Sequence, residues 1–116
     1  MTTLPLTFVV PGPPRGKERP RKGKYGNFYT PPKTHAAELA VAMACLKAAG
    51  GKLSLQAIHV KVHCHFATHR HPDCDNILKL TLDALEGLAY ANDRHVSSEV
   101  SFDVGQHPEG IEVTLS

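Results

Sequence analysis

Residues 57–88 read AIHVKVHCHFATHRHPDCDNILKLTLDALEGL, and this stretch decides the fold class. In its first part the side chains alternate: Ile58, Val60, Val62, Cys64 and Phe66 fall on one side, and His59, Lys61, His63 and His65 on the other. A period of two marks a strand with one buried face. The polar segment THRHPDCD breaks that period at a turn. From Asn76 to Leu88 a helical period takes over, with Ile77, Leu78, Leu82, Leu85 and Leu88 on one stripe. A strand followed directly by an amphipathic helix sets the pattern for the rest of the chain.

Upstream, LPLTFVV (residues 4–10) reads as a first strand, stopped by Pro11-Gly12-Pro13-Pro14. Residues 11–34 are rich in proline, glycine and charge, and predict a long loop. Thr34 is placed to cap a helix over residues 35–49, with Leu39, Met43 and Leu46 on its apolar stripe and Gly50-Gly51 ending it. Downstream, residues 96–104 and 111–115 read as strands joined by GQHPEG, a hairpin or short connection. The order β-α-β-α-β-β predicts an α+β domain of two layers, a mixed four-stranded sheet with two helices packed mainly on one face. At 116 residues the chain is read as one domain over residues 1–116, too short for a second core.

Composition excludes several classes. No apolar run approaches the roughly 18 residues of a membrane span, and MTTLPLTFVV lacks the basic start of a secretory signal, so a cytoplasmic protein is expected. Cys45, Cys64 and Cys74 are an odd number without a C-x-x-C, which predicts free thiols. The net charge of +2 hides a strong asymmetry. RGKERPRKGK, residues 15–24, holds Arg15, Lys17, Arg19, Arg21, Lys22 and Lys24 against Glu18, while the other 106 positions carry 7 basic and 10 acidic residues. A cationic loop on a mildly acidic body suits a polyanion, of which nucleic acid is the commonest.

The chemistry concentrates in HPDCDNILK, TLDALEG and YANDRHV, which span residues 71–96. Asp73 and Asp75 are two apart, so in an extended segment both point the same way. Two carboxylates held about 4 Å apart repel by about 4 kcal/mol at an effective dielectric of about 20. A hard divalent cation relieves that repulsion, and Mg²⁺ takes a few carboxylate oxygens while keeping waters for a phosphate. Asp93 adds a third carboxylate. The same residues also have local readings: Asp75 as a helix N-cap, Asp75 and Lys79 as an i,i+4 ion pair, and Asp73, Asn92 and Asp93 as turn residues.

Taken together, PDxDNxxK, LDALxG and Y-x-[DN]-D-x-x-V resemble the RusA family of crossover-junction endodeoxyribonucleases, the Holliday junction resolvases of bacteria and their phages. FVVPGPPRGKERPR resembles that family's first strand and basic loop, so the resemblance spans essentially the whole chain. It implies a homodimer that acts on four-way junction DNA during recombination and repair, with Mg²⁺ as cofactor, Mn²⁺ as substitute and no small-molecule cofactor. It also implies a cytoplasmic, nucleoid-associated place of action. Asp73, Asp75 and Asp93 would be its metal ligands and Lys79 its catalytic lysine, aimed at the charge that develops on phosphorus. The cationic loop would bind DNA backbone without reading bases, and Tyr25, Phe28 and Tyr29 would either stack on bases or pack. One position departs from the family pattern: Asn92 stands where a second aspartate is common. A helix over residues 76–88 would also carry Asp93 about 20 Å from Asp75. Either the chain doubles back near Gly87, or the site is completed across the dimer.

Two other readings come from the residues. His63, His65, His69, His71 and Cys74, with Cys64 among them, fall within twelve positions and form a candidate zinc set. A junction-binding module that does not cut would share the basic loop and lack the chemistry.

Overall fold

The computed structural model describes residues 4–18, 21–29, 31–51 and 56–116. Its elements are β1 (Leu6–Pro11), β2 (Arg21–Lys22), β3 (Phe28–Tyr29), α1 (Pro32–Ala48), β4 (His59–Phe66), α2 (Cys74–Leu85), β5 (Ser97–Val104) and β6 (Gly110–Leu115), with one 3-10 turn at Asp93–His95. Four strands form a mixed sheet in the order β1-β6-β4-β5: β6 runs antiparallel to both neighbours, and β4 and β5 run parallel. The predicted α+β architecture is therefore the observed one.

The alternation in β4 works as its pattern dictates. Val60, Val62, Cys64 and Phe66 are buried, and they meet Val113 and Leu115 of β6, Phe8 of β1, and Ile77, Leu80 and Leu85 of α2. Burying each such side chain contributes roughly 1.5–3 kcal/mol. Ile58, counted with them in the sequence, lies just before β4 and is exposed. Parallel β4 and β5 need a crossover, and α2 with its following turn supplies it.

Of the two readings of GQHPEG, hairpin or short connection, the connection holds: β6 is paired on both sides by β1 and β4, so residues 105–109 carry the chain across β4. Other expectations change. The loop over residues 11–34 contains the small β2–β3 hairpin, with Arg21 opposite Tyr29 and Lys22 opposite Phe28. In α1 the helix starts at Pro32, because proline at the first turn gives up no needed N–H. Thr34 is therefore inside the helix and buried, where its Oγ1 accepts the Glu18 N–H at 3.3 Å. Val41 and Cys45 face the core, whereas Leu39 and Met43 are exposed. In this alanine-rich helix, close packing on α2 selects the small residues for the inner face.

Candidate functional site

The start of α2 accounts for the D-x-D pair. Pro72 precedes Asp73, which is the N-cap: its Oδ1 accepts the Asp75 N–H at 3.0 Å. Asp75 is not the cap but lies in the first turn. The segment is not extended as expected. One carboxylate is outside the helix and one inside it, both exposed, and both are favoured by the positive end of the helix dipole. Cys74, between them, turns inward and packs against the core beside the buried Cys64. Burial pushes the Cys64 thiol up to about 12, so it is a neutral core residue.

Along α2 the four-residue step continues from Asp75 to exposed Lys79 and then to Asp83. Among the described residues no ion pair joins Asp75 to Lys79. Asp83 is instead paired with Lys17 from the basic loop. That loop crosses the helix closely: the Lys17 N–H donates to the Asn76 carbonyl at 3.0 Å, and a Cβ on Gly16 would lie 3.0 Å from Asn76 Cβ. The hydrogen bond to Asp83 holds the Lys17 ammonium above its ordinary pKa, helped by the fields of Asp83, Glu38 and Asp93 and opposed by burial.

After Leu85 the chain doubles back. Gly87 adopts φ +83°, a conformation that favours glycine, and its N–H donates to the Tyr90 carbonyl at 2.8 Å. Buried Tyr90 donates its hydroxyl to the Leu82 carbonyl at 2.6 Å and clamps the turn to the helix. Asn92 then caps the 3-10 turn: its Oδ1 accepts the Arg94 N–H at 2.9 Å. An amide at that position has a backbone task of its own. The next residue, Asp93, reaches Asp83 and Glu86, and carboxylate oxygens of the three lie within 4.8 Å of one another.

The fold thus brings Asp93 to Asp83 and Glu86, not to Asp73 and Asp75. Eight residues of helix separate Asp75 from Asp83, about 12 Å along the axis. In one protomer the predicted trio of Asp73, Asp75 and Asp93 stays divided between the two ends of α2. Asp83 and Glu86 are not among the candidates that the sequence motifs offer, although Asp83 continues the four-residue step from Asp75 and Lys79. All-oxygen donors in this group match the preference of a hard divalent ion, and Lys17 offsets part of their repulsion.

An open cleft of about 500 Å³ runs beside the start of α2, with Arg15, Lys17, Lys33, Arg70, Asp73 and Asn76 among its lining residues. Its cations come from the loop, α1 and the β4–α2 turn, so half of them lie outside the basic run that the sequence singled out. Lys22 and Lys24 are exposed on or beside the β2–β3 hairpin, as are Tyr25, Phe28 and Tyr29. Arg21 starts that hairpin, and Arg19 lies outside the described residues. The predicted zinc set is not gathered. His71 stacks on Phe66 at 3.8 Å, Cys74 points to Cys64, and His63 and His65 join Asp103.

This combination, an α+β fold with an acidic helix face beside a cationic cleft, has the makings of a metal-assisted enzyme acting on a polyanion. A family model for endodeoxyribonuclease RusA matches residues 11–116 of the chain. The chain belongs to the RusA endodeoxyribonuclease family, as its motifs foreshadowed. No curated relative matches the sequence. No helix among the described residues is long and apolar enough to cross a membrane.

Proposed function

We propose that this protein is a homodimeric, Mg²⁺-dependent resolvase that cuts opposed strands of four-way DNA junctions in paired nicks, with Mn²⁺ as a substitute ion, acting in the cytoplasm on recombining DNA. The family match across residues 11–116 carries the reading. The division of carboxylates between the ends of α2 supports a dimer in which Asp73 and Asp75 of one protomer share an ion with Asp93 of the other. Two symmetric strands call for two such sites related by a two-fold axis.

In this reading Asp73, Asp75 and Asp93 are ligands, with Asp83 and Glu86 behind Asp93. Held by these carboxylates, a divalent ion would supply Lewis-acid chemistry to the scissile phosphate and to an attacking water. Lys79, one turn beyond Asp75, offers an ammonium to the charge that develops on phosphorus. The cations of residues 15–24 hold DNA backbone without reading sequence, and the aromatics of the β2–β3 hairpin offer surfaces on which unpaired bases stack. No nucleophilic side chain is required.

Cleavage of a labelled four-way junction and a linear duplex, with and without Mg²⁺, tests the reading. Wild type is expected to nick only the junction, symmetrically, and Asp75→Asn to bind it without nicking. Binding without nicks by wild type in Mg²⁺ and in Mn²⁺ would favour a junction-binding module instead. The shared site has its own test. Asp75→Asn and Asp93→Asn, each inactive alone, regain nicking when mixed, because one hybrid site per dimer keeps both aspartates. A mixture that stays inactive after subunit exchange assigns each site to one protomer. Lys17→Ala/Arg19→Ala/Arg21→Ala is expected to weaken junction binding for all sequences alike and to flatten its salt dependence.

A further inference from the structure

The outward face of β4 carries a second constellation that the nuclease chemistry does not use. His63 and His65 are two apart on one strand, so they share a face, and the parallel register sets Ser101 opposite His63 and Asp103 opposite His65. The 105–109 connection then returns His107 to the same place. Three imidazoles converge on a single oxygen: Asp103 Oδ2 lies 2.7 Å from His63 Nε2, 2.6 Å from His65 Nδ1 and 3.5 Å from His107 Nδ1. The facing atoms of His63, His65 and Asp103 are all within 4.8 Å of one another. Asp103 is only 14% exposed, and its other oxygen, Oδ1, is buried without a hydrogen-bond partner.

The same strand supplies an internal control. His59 divides its two nitrogens between two partners, Ser97 Oγ at 2.7 Å and Glu99 Oε1 at 3.1 Å, the ordinary way a strand histidine is satisfied. At Asp103 the pattern is different, with three rings aimed at one oxygen and one oxygen left over. His63, His65 and Asp103 make a converged set of two imidazole nitrogens and a carboxylate, and His107, with Nδ1 3.5 Å from the same Asp103 oxygen, is the neighbouring ring that completes four-coordination for a borderline ion. The outer nitrogen of His63 has a partner of its own, Nδ1 lying 2.6 Å from Ser101 Oγ, and the outer nitrogen of His65 faces the Glu112 carboxylate at 3.9 Å. Partners on that side orient a ligating imidazole.

We propose that His63, His65, His107 and Asp103 form a second metal centre, selective for an ion of the Zn²⁺ type and separate from the oxygen-only acidic face of α2. Nitrogen-rich donors favour zinc-class ions, whereas Mg²⁺ demands oxygen. The ion ties β4, the edge strand β5 and the 105–109 connection together on the sheet face opposite the helices.

Titration of the chelator-treated full chain with Co²⁺, followed by displacement with Zn²⁺, tests this. One equivalent of Co²⁺ is expected to give the visible absorption of a four-coordinate ion. Zn²⁺ should displace it one for one and raise the thermal midpoint, while excess Mg²⁺ should leave the spectrum unchanged. His65→Ala and His107→Ala should each weaken binding at least about tenfold. His107 is 58% exposed in a connection, so its variant keeps the fold. His59→Ala and Asp75→Asn should bind as wild type does. Absence of the spectrum in wild type, its displacement by Mg²⁺, or unchanged affinity in either His65→Ala or His107→Ala overturns the proposal. The nuclease reading stands or falls separately, on junction nicking by Asp75→Asn.

Discussion

Two three-residue motifs, His63-Cys64-His65 on β4 and Asp73-Cys74-Asp75 at the start of α2, have the same form and opposite outcomes. In each, the cysteine turns inward, and the two thiols meet in the core. The flanking residues turn outward. On the strand, both histidines stay on one face and reach a single partner, Asp103. At the helix start, the two aspartates take different backbone conformations, so one is a cap and the other begins a stripe that runs away along α2. Spacing in sequence becomes clustering in space on a strand, whose period is two; on a helix the neighbours of Asp75 are three or four residues on.

The largest expected effect separates the two faces functionally. Asp75→Asn should lower junction nicking at least about 100-fold, and His65→Ala should leave it within about twofold, since losing a ligand of the reacting ion costs several kcal/mol of transition-state stabilisation. Strong loss of nicking in His65→Ala would break the comparison and make the two faces one site. Next in size is Leu80→Ala, which strikes the core layer beneath α2 and should cost about 2–5 kcal/mol of stability in denaturant unfolding. A loss under about 1 kcal/mol would mean that α2 is not held on the sheet by that side chain.

Asp73 then sharpens the contrast between cap and ligand. Asp73→Ala should cost about 1 kcal/mol through loss of the cap, whereas Asp73→Asn caps nearly as well and should cost only a few tenths. If Asp73 also ligates, Asp73→Asn nonetheless loses nicking; full nicking by that variant reduces Asp73 to a cap. The smallest effect concerns the thiols. Burial raises all three pKa values, so native labelling by iodoacetamide at pH 8 should be slow and should quicken as pH rises. Cys74, the least buried, should react first, and Cys45 and Cys64 only on unfolding. Rapid labelling of Cys64 at pH 8 would show that the two motifs are not joined through the core.

Much of the fold was legible because it depends on local periods. The alternation over residues 57–67, the helical period beyond Asn76 and the breaks at Pro11–Pro14 and Gly50-Gly51 placed four of the main elements closely. Pairing was not legible in the same way. GQHPEG between residues 96–104 and 111–115 allows a hairpin or a short connection and leaves the strand order open; β6 lies between β1 and β4, because a strand with alternate buried residues and a partner on each side hides more of its backbone than a hairpin edge does. Leu39 and Met43 misled for a related reason: in a helix made mostly of alanine, the stripe that packs closest need not carry the largest side chains.

The site divides along the same line. Order and period along the chain place the residue types: the two aspartates before an amphipathic helix, the lysine one turn on, the basic run and the alternating histidines. Which of them meet is a property of the folded chain. Gly87 and Tyr90 fold the chain so that Asp93 reaches Asp83 and Glu86, Gly16 lets Lys17 cross α2, and the parallel register of β4 and β5 delivers Asp103 to His63 and His65. Those encounters join segments distant in sequence, and they are set by how the layers pack, a property that no single stretch of the chain carries.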